Sequence, residues 1–220
     1  MIRRLYAWLH RLTSPESERG EYSGGYWQYK VRRAALLACR GFSGRLLEVG
    51  CGEGLYVAAL ARQDPQLEIF GVDLDRSLLA KARERVAAGR YERITLSQQD
   101  GSGLAFGDGY FDAVVCINVL YNIPTFEAAA RIVSQMKRVC KPGGRLLFDF
   151  RNARNALLRA QYRFARYYDR TLRDLPLNAY DPEEIEALMR DLDLAVIQER
   201  HIGFPGNRYA PIILIEAKKQ

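Results

Sequence analysis

The chain has 220 residues, 48% hydrophobic and 27% charged, which suits one soluble α/β domain with a full core and some additional helix. Its 33 basic and 26 acidic residues give a formal net charge of +7, which permits an anionic partner without requiring one. No run reaches the roughly 18 uninterrupted apolar residues of a membrane span, and no apolar leader with a small-residue cleavage site opens the chain.

Residues 2–12 carry a short amphipathic pattern, with Ile2, Leu5, Leu9 and Leu12 at helical spacing beside Arg3, Arg4 and Arg11. Ser14-Pro15-Glu16 breaks it. Residues 21–29, rich in tyrosine and glycine, read as a loop entering a helix over 29–39, which Gly41 and Gly44 end. From there strand and helix alternate. Strands are predicted over 45–49, 68–72, 94–98, 111–117 and 144–150, and helices over 55–62, 77–88 and 125–139. Ser77 is the expected N-cap of its helix, and Pro142-Gly143-Gly144 the expected stop of the last. This alternation implies a parallel sheet with right-handed crossovers and helices on both faces. Asp181-Pro182-Glu183-Glu184 starts a further helix. Strands over 195–202 and 211–217 follow, and their connection is too short for a crossover helix, so they pair antiparallel.

Cys39, Cys51, Cys116 and Cys140 are scattered without a C-x-x-C pair, and the histidines are His10 and His201. This argues against structural zinc and for free thiols in a reducing cytoplasm. The expected location is cytoplasmic, with peripheral membrane contact left open.

Leu46, Leu47 and Val49 read as a buried strand, Gly50-Cys51-Gly52-Glu53 as a sharp turn and Gly54 as the start of a helix. Glycine accepts positive φ and lets a ligand approach the bare backbone. Such a strand, turn and helix make a nucleotide-binding first βα unit. A G-x-G-x-x-G dinucleotide fingerprint would require glycine at 55, where Leu55 stands, and has no place for the acid Glu48. Asp73 stands about twenty residues beyond the loop at a strand's carboxyl end, where a carboxylate can accept both hydroxyl protons of a ribose diol.

Glu48-x-Gly50-x-Gly52-x-Gly54 resembles motif I of the class I S-adenosylmethionine-dependent methyltransferases. The terminal antiparallel hairpin, the 109–121 segment and Lys141-Pro142-Gly143-Gly144-Arg145 also resemble that family, over roughly 45–150 and part of the tail. The resemblance implies an α/β, Rossmann-like, seven-stranded and mostly parallel sheet with an antiparallel C-terminal strand. It implies S-adenosyl-L-methionine as cofactor, bound by Glu48, Gly50, Cys51, Gly52 and Gly54, by Asp73 with Leu74, by Asp100 with Gly101 at the adenine, and by Asn118 near the methyl group. Gly101 departs from the small apolar residue usual there. The expected organisation is a single domain over 1–220: a helical cap (1–44), a cofactor-binding half (45–150), a basic lid insert (151–180) and a C-terminal helix with hairpin (181–220).

Methyl transfer needs alignment, and a base when the nucleophile is a hydroxyl. Tyr121 and His201 are the candidate bases. Tyr26 and Trp27 are candidate acceptor contacts, as are Arg159 and Arg163. The insert carries Arg151 and Arg154, and then Arg159, Arg163, Arg166 and Arg170 along one helical face. No Asn-Pro-Pro-Tyr motif and no Pro-Cys pair follow the fourth strand, which disfavours two styles of nucleobase methylation. The leading expectation is an enzyme acting on a small-molecule or lipid-like acceptor. The alternatives are an RNA methyltransferase using the arginine face for phosphates, or a non-catalytic cofactor-binding member.

Overall fold

A computed structural model describes residues 26–168 and 178–220. The elements run α1 (Tyr26–Ala38), β1 (Arg45–Val49), α2 (Leu55–Gln63), β2 (Glu68–Asp73), α3 (Arg76–Gly89), β3 (Ile94–Gln98), β4 (Phe111–Cys116), a 3-10 turn (Leu120–Asn122), α4 (Phe126–Val139), β5 (Cys140–Arg151), α5 (Ala156–Tyr168), α6 (Pro182–Asp191), β6 (Leu194–Ile202) and β7 (Ile212–Lys219). The seven strands form one sheet in the order β3-β2-β1-β4-β5-β7-β6. Pairing is parallel from β3 through β5, and β7 pairs antiparallel with both β5 and β6. Only β7 therefore runs against the others, as the hairpin reading requires.

The central strands bury both faces, so their apolar residues alternate between two cores. On β1, Leu47 and Val49 join the core that holds Ile132, Val133, Met136, Ile185 and Met189 of α4 and α6. Leu46, between them, joins the opposite core with Val31, Val57, Leu60 and Leu79 of α1, α2 and α3. On α4 the buried positions are Ala129, Ile132, Val133, Met136 and Val139, a single apolar stripe. The strand order reverses between β1 and β4, and the crevice beyond their carboxyl ends is where open α/β sheets bind ligands.

Three local expectations need correction. The N-cap of α3 is Asp75, whose Oδ1 accepts from Ser77 N at 2.7 Å and Leu78 N at 3.3 Å. Ser77 instead donates its hydroxyl to that oxygen at 2.7 Å; the carboxylate prevails because it also answers the positive end of the helix dipole. The helix α4 ends at Val139, before Pro142-Gly143-Gly144. Those residues sit in a bulge of β5, where Cys140 and Arg145 oppose Phe111 and Ala113, so five steps on one strand face two on the other. Proline fits there because it has no N–H for the ladder. Residues 26–29, expected as loop, are helical. By contrast Thr125 caps α4, and Asp181 with Glu184 forms a capping box on α6. The 2–12 pattern and residues 21–25 of the tyrosine- and glycine-rich stretch lie outside the described residues.

Candidate functional site

The glycine loop is fixed by backbone geometry. Gly50 N and Cys51 N both donate to Val72 O, at 2.8 and 2.9 Å, which binds the loop to the neighbouring strand. Gly50, Gly52 and Gly54 all have left-handed φ, at 77°, 51° and 74°. A Cβ on Gly50 would lie 2.3 Å from Val119 Cγ2, and one on Gly54 3.0 Å from the Ala82 Cβ. Both conformation and space therefore require glycine. Cys51 is buried, and burial pushes its thiol far up, so it is an inert small residue.

Two acids frame this loop. Asp73 Oδ2 accepts from Gly52 N at 2.7 Å and Oδ1 from Asp75 N at 2.9 Å, so the carboxylate stands at the loop rather than capping α3. Glu48 is buried beneath it, and burial raises its carboxyl to about 8. The Val57 N–H, in the first turn of α2, hydrogen-bonds that carboxyl. Glu48 Oε2 nevertheless has no hydrogen-bond partner. An orphaned buried acceptor beneath a bare glycine cradle fits a ligand that brings a cationic or N–H group to this spot.

Farther along the crevice, Leu74 is 65% exposed directly after Asp73. Asp100 is exposed, with Oδ1 accepting from Ser102 N and Oγ, both at 2.8 Å; these bonds hold its carboxyl below the usual range. A Cβ on Gly101 would lie 2.8 Å from Val49 Cγ1, which explains the glycine where the family usually has a small side chain. Thus Glu48, the three loop glycines, Asp73, Leu74, Asp100 and Gly101 line the carboxyl ends of β1, β2 and β3.

A second group lies at the ends of β4 and β5. Asn118 follows β4 with φ 58°, a left-handed conformation that asparagine tolerates. Its N–H donates to Asp149 Oδ1 at 2.5 Å, its Nδ2 donates to Gln28 O of α1 at 3.3 Å, and its Oδ1 accepts from Arg151 Nη2 at 3.3 Å. Arg151 Nη1 meets Asp149 Oδ2 at 2.5 Å with both side chains buried. Burial raises the Asp149 carboxyl while the Arg151 charge and the Asn118 N–H pull it down. Burial works against the Arg151 charge, but Asp149 together with Tyr162 and Tyr121 outweighs it and raises its pKa. The Arg151 guanidinium lies 4.3 Å from the Tyr121 ring centroid and hydrogen-bonds the Tyr162 hydroxyl. Asp149 and Tyr162 were not expected site residues, and Arg151 was grouped with the insert's arginines. The available signal was two charges at i and i+2 in the otherwise apolar run Leu146–Arg151, which places both on one sheet face.

The remaining expected residues divide. Tyr121 joins this cluster, and Trp27 and Tyr26 open α1 above it, packed edge-to-face at 5.1 Å. Arg159 and Arg163 are exposed on α5. The arginine face is smaller than the spacing suggests, because Arg151 is buried and Arg154 pairs with Asp181 at 3.0 Å and Glu183 at 2.5 Å. The Arg166 side chain and Arg170 lie outside the described residues. His201 is not brought to the cluster: it pairs with Ile213, which pairs with Phe150, so it lies two strand spacings, roughly 10 Å, from β5. Directly paired residues share a face, so His201 is also on the side of the sheet away from Arg151. A groove of about 420 Å³ runs between α3 and the amino end of β3 past Arg83, Arg90, Tyr91 and Leu96, remote from both groups.

A seven-stranded sheet with one reversed strand, a three-glycine turn after β1 and acids ending β1 and β2 define a nucleoside-binding α/β protein of methyltransferase type. Comparison with known proteins agrees. The methyltransferase-domain family matches residues 46–144. A phosphatidylethanolamine N-methyltransferase of Cereibacter sphaeroides is 32% identical over 181 residues, covering 81% of this chain and 82% of the relative. A ubiquinone biosynthesis O-methyltransferase of Methylococcus capsulatus is 30% identical, covering 92% of this chain and 82% of the relative. The magnesium protoporphyrin IX methyltransferase structure from Synechocystis PCC 6803, with bound S-adenosylhomocysteine, superposes with a TM-score of 0.70 at 17% identity, over 99% of this chain and 95% of that one. The chain belongs to the class I S-adenosylmethionine-dependent methyltransferase family, and its cofactor is S-adenosylmethionine.

Proposed function

We propose that the chain methylates a small-molecule or lipid-like acceptor bound at the ends of β4 and β5, beneath α1 and α5. The observation that carries this reading is the buried Asp149–Arg151 pair with half-buried Asn118, closed over by Tyr121 and Tyr162. It provides a polar floor under a helical cover, an enclosure suited to a compact acceptor rather than to an extended polynucleotide. The names of the two curated relatives, one for a phospholipid and one for quinone biosynthesis, support the same class of acceptor.

In this reading Glu48 and the loop at Gly50, Cys51, Gly52 and Gly54 hold the amino-acid end of the cofactor. Asp73 takes the ribose diol, Leu74 and Gly101 face the adenine, Asp100 accepts from its amino group, and Asn118 borders the methyl group. When bound, the sulfonium supplies an already activated methyl, so the chain's own work is alignment and exclusion of water. Burial raises Tyr162 to about 12, so it stays protonated and serves as a donor. Tyr121, whose ring lies under Arg151, remains the candidate base of the two expected, because His201 lies away from this cluster. Arg159 and Arg163 border the cover from outside, and the described parts of the two flanking segments, residues 26–44 and 151–168, form it.

The test is incubation with methyl-labelled S-adenosylmethionine and, separately, total lipid extract, small-metabolite extract and total RNA. Label soluble in organic solvent or in the small-metabolite fraction is expected. Label confined to RNA, or to none of the three, overturns the reading.

A further inference from the structure

The loop joining β6 to β7, residues 203–211, has no part in the site described above, yet it is held with care. Asn152 is fully buried and donates through Nδ2 to the carbonyls of Arg208 and Ala210, each at 2.9 Å. Asn155 is 3% exposed and donates to the Tyr209 carbonyl at 2.7 Å and that of Phe204 at 3.5 Å. Its Oδ1 meanwhile caps α5 through Leu158 N at 2.7 Å. Two buried asparagines thus pin the loop's backbone from one side.

On the other side stand apolar side chains. Phe204 is 81% exposed and Tyr209 42%. Leu157, two residues beyond Asn155, is 69% exposed on the first turn of α5. Trp27, 36% exposed, borders the loop, because a Cβ on Gly203 would lie 3.1 Å from Trp27 Cζ3. Four of the nine large apolar side chains exposed among the described residues therefore gather at one loop. A pinned backbone cannot fold them away, and clustered exposed apolar groups mark an interaction surface.

The surrounding charge says which kind. Residues 203–211 contain no acid, and Arg208 stands among them, 3.0 Å from the Tyr209 hydroxyl. Arg159 and Arg163 are exposed on the neighbouring helix, and the whole chain carries +7. Tryptophan, tyrosine and phenylalanine with flanking arginine match the chemistry of a bilayer's headgroup layer, where rings enter the interface and guanidinium groups meet phosphates. The loop also lies at the acceptor's edge of the sheet, since Ile202, Ile212 and Arg151 are consecutive partners.

We propose that Phe204, Arg208 and Tyr209, with Leu157 and Trp27, form a docking surface for an anionic lipid bilayer. The purpose of the contact, presenting a membrane-dissolved acceptor to the covered site, rests on the lipid-like acceptor reading; the contact itself does not. The test is co-sedimentation of the full chain with vesicles of phosphatidylcholine containing phosphatidylglycerol, and with phosphatidylcholine alone. Wild type should sediment with the anionic vesicles, and less so in high salt. Phe204→Ser should lower that partitioning about tenfold or more, the scale of losing one buried aromatic side chain. Arg208→Ala should weaken it selectively on anionic vesicles. Both variants should keep wild-type affinity for S-adenosylhomocysteine, which shows that they are folded. Wild type remaining in the supernatant, Phe204→Ser binding as well as wild type, or binding to RNA or protein alone overturns the proposal. The labelled-methyl assay needs no vesicles, so failure here leaves the acceptor reading to its own test.

Discussion

Replacing Glu48 by glutamine keeps the shape of the side chain and removes its ionisation. Burial lifts this carboxyl from 4.5 to about 8, the charge of Arg32 pulling it down and that of Asp73 pushing it up. Below pH 4.5 the group is protonated in both folded and unfolded chains and contributes nothing. Between pH 4.5 and about 8 the folded protein keeps a proton that the unfolded chain has lost, so stability falls as pH rises. At roughly 1.4 kcal/mol per pH unit, the accumulated cost is about 3 kcal/mol at pH 7 and about 5 kcal/mol above pH 8. Glutamine never ionises. Glu48→Gln should therefore show a flatter stability profile across this window and exceed wild type at pH 7 by up to about 3 kcal/mol.

Cofactor affinity should move the other way. The partnerless Oε2 is the acceptor that an incoming cationic group would satisfy, so the variant should bind S-adenosylhomocysteine about tenfold or more weakly. Urea unfolding at several pH values, paired with isothermal titration of S-adenosylhomocysteine, reads both effects on one protein. A variant less stable than wild type at pH 7, with an unchanged pH slope, would refute the reasoning. It would mean that Glu48 is ionised in the folded protein and serves mainly to anchor the first turn of α2.

Asp73→Ala should weaken cofactor binding by about 1.5–3 kcal/mol in a folded protein, the scale of hydrogen bonds to a charged group; an unchanged dissociation constant would mean that Asp73 only braces the loop. Asp149→Ala leaves Arg151 buried without its partner and should cost about 3–5 kcal/mol in urea unfolding, while the joint change to Asp149→Leu and Arg151→Met should cost far less. Asp75→Ala should cost about 1 kcal/mol through the lost cap of α3, and Ser77→Ala clearly less; the reverse order would return the cap to Ser77.

What could be read from the chain was what one segment carries alone. The strands predicted at 45–49 and 94–98 have the observed bounds, because a short apolar or alternating run between turn residues needs no distant partner to be recognised. The glycine turn was legible for the same reason: three positive φ values within five residues admit little else. The helix α1 began earlier than its composition suggested, since aromatic residues at 26–29 read as loop until packing is known. The bulge of β5 was hidden because proline and glycine signal a break equally well beside a strand and inside one.

The cluster at the ends of β4 and β5 was least legible, and the reason bears on the proposed function. Asn118 and Asp149 meet only when β4 and β5 align with Val115 opposite Leu147 and Cys116 opposite Phe148. Tyr162 reaches Arg151 only from a separate helix. The family match ends at residue 144, before Asp149, Arg151, Tyr162 and the pinned 203–211 loop. The family match thus covers the half that faces the cofactor, where local turns and strand ends suffice. In the proposed reading the acceptor draws on Asp149, Arg151 and Tyr162 of the half beyond it, so substitutions there should separate acceptor turnover from cofactor affinity.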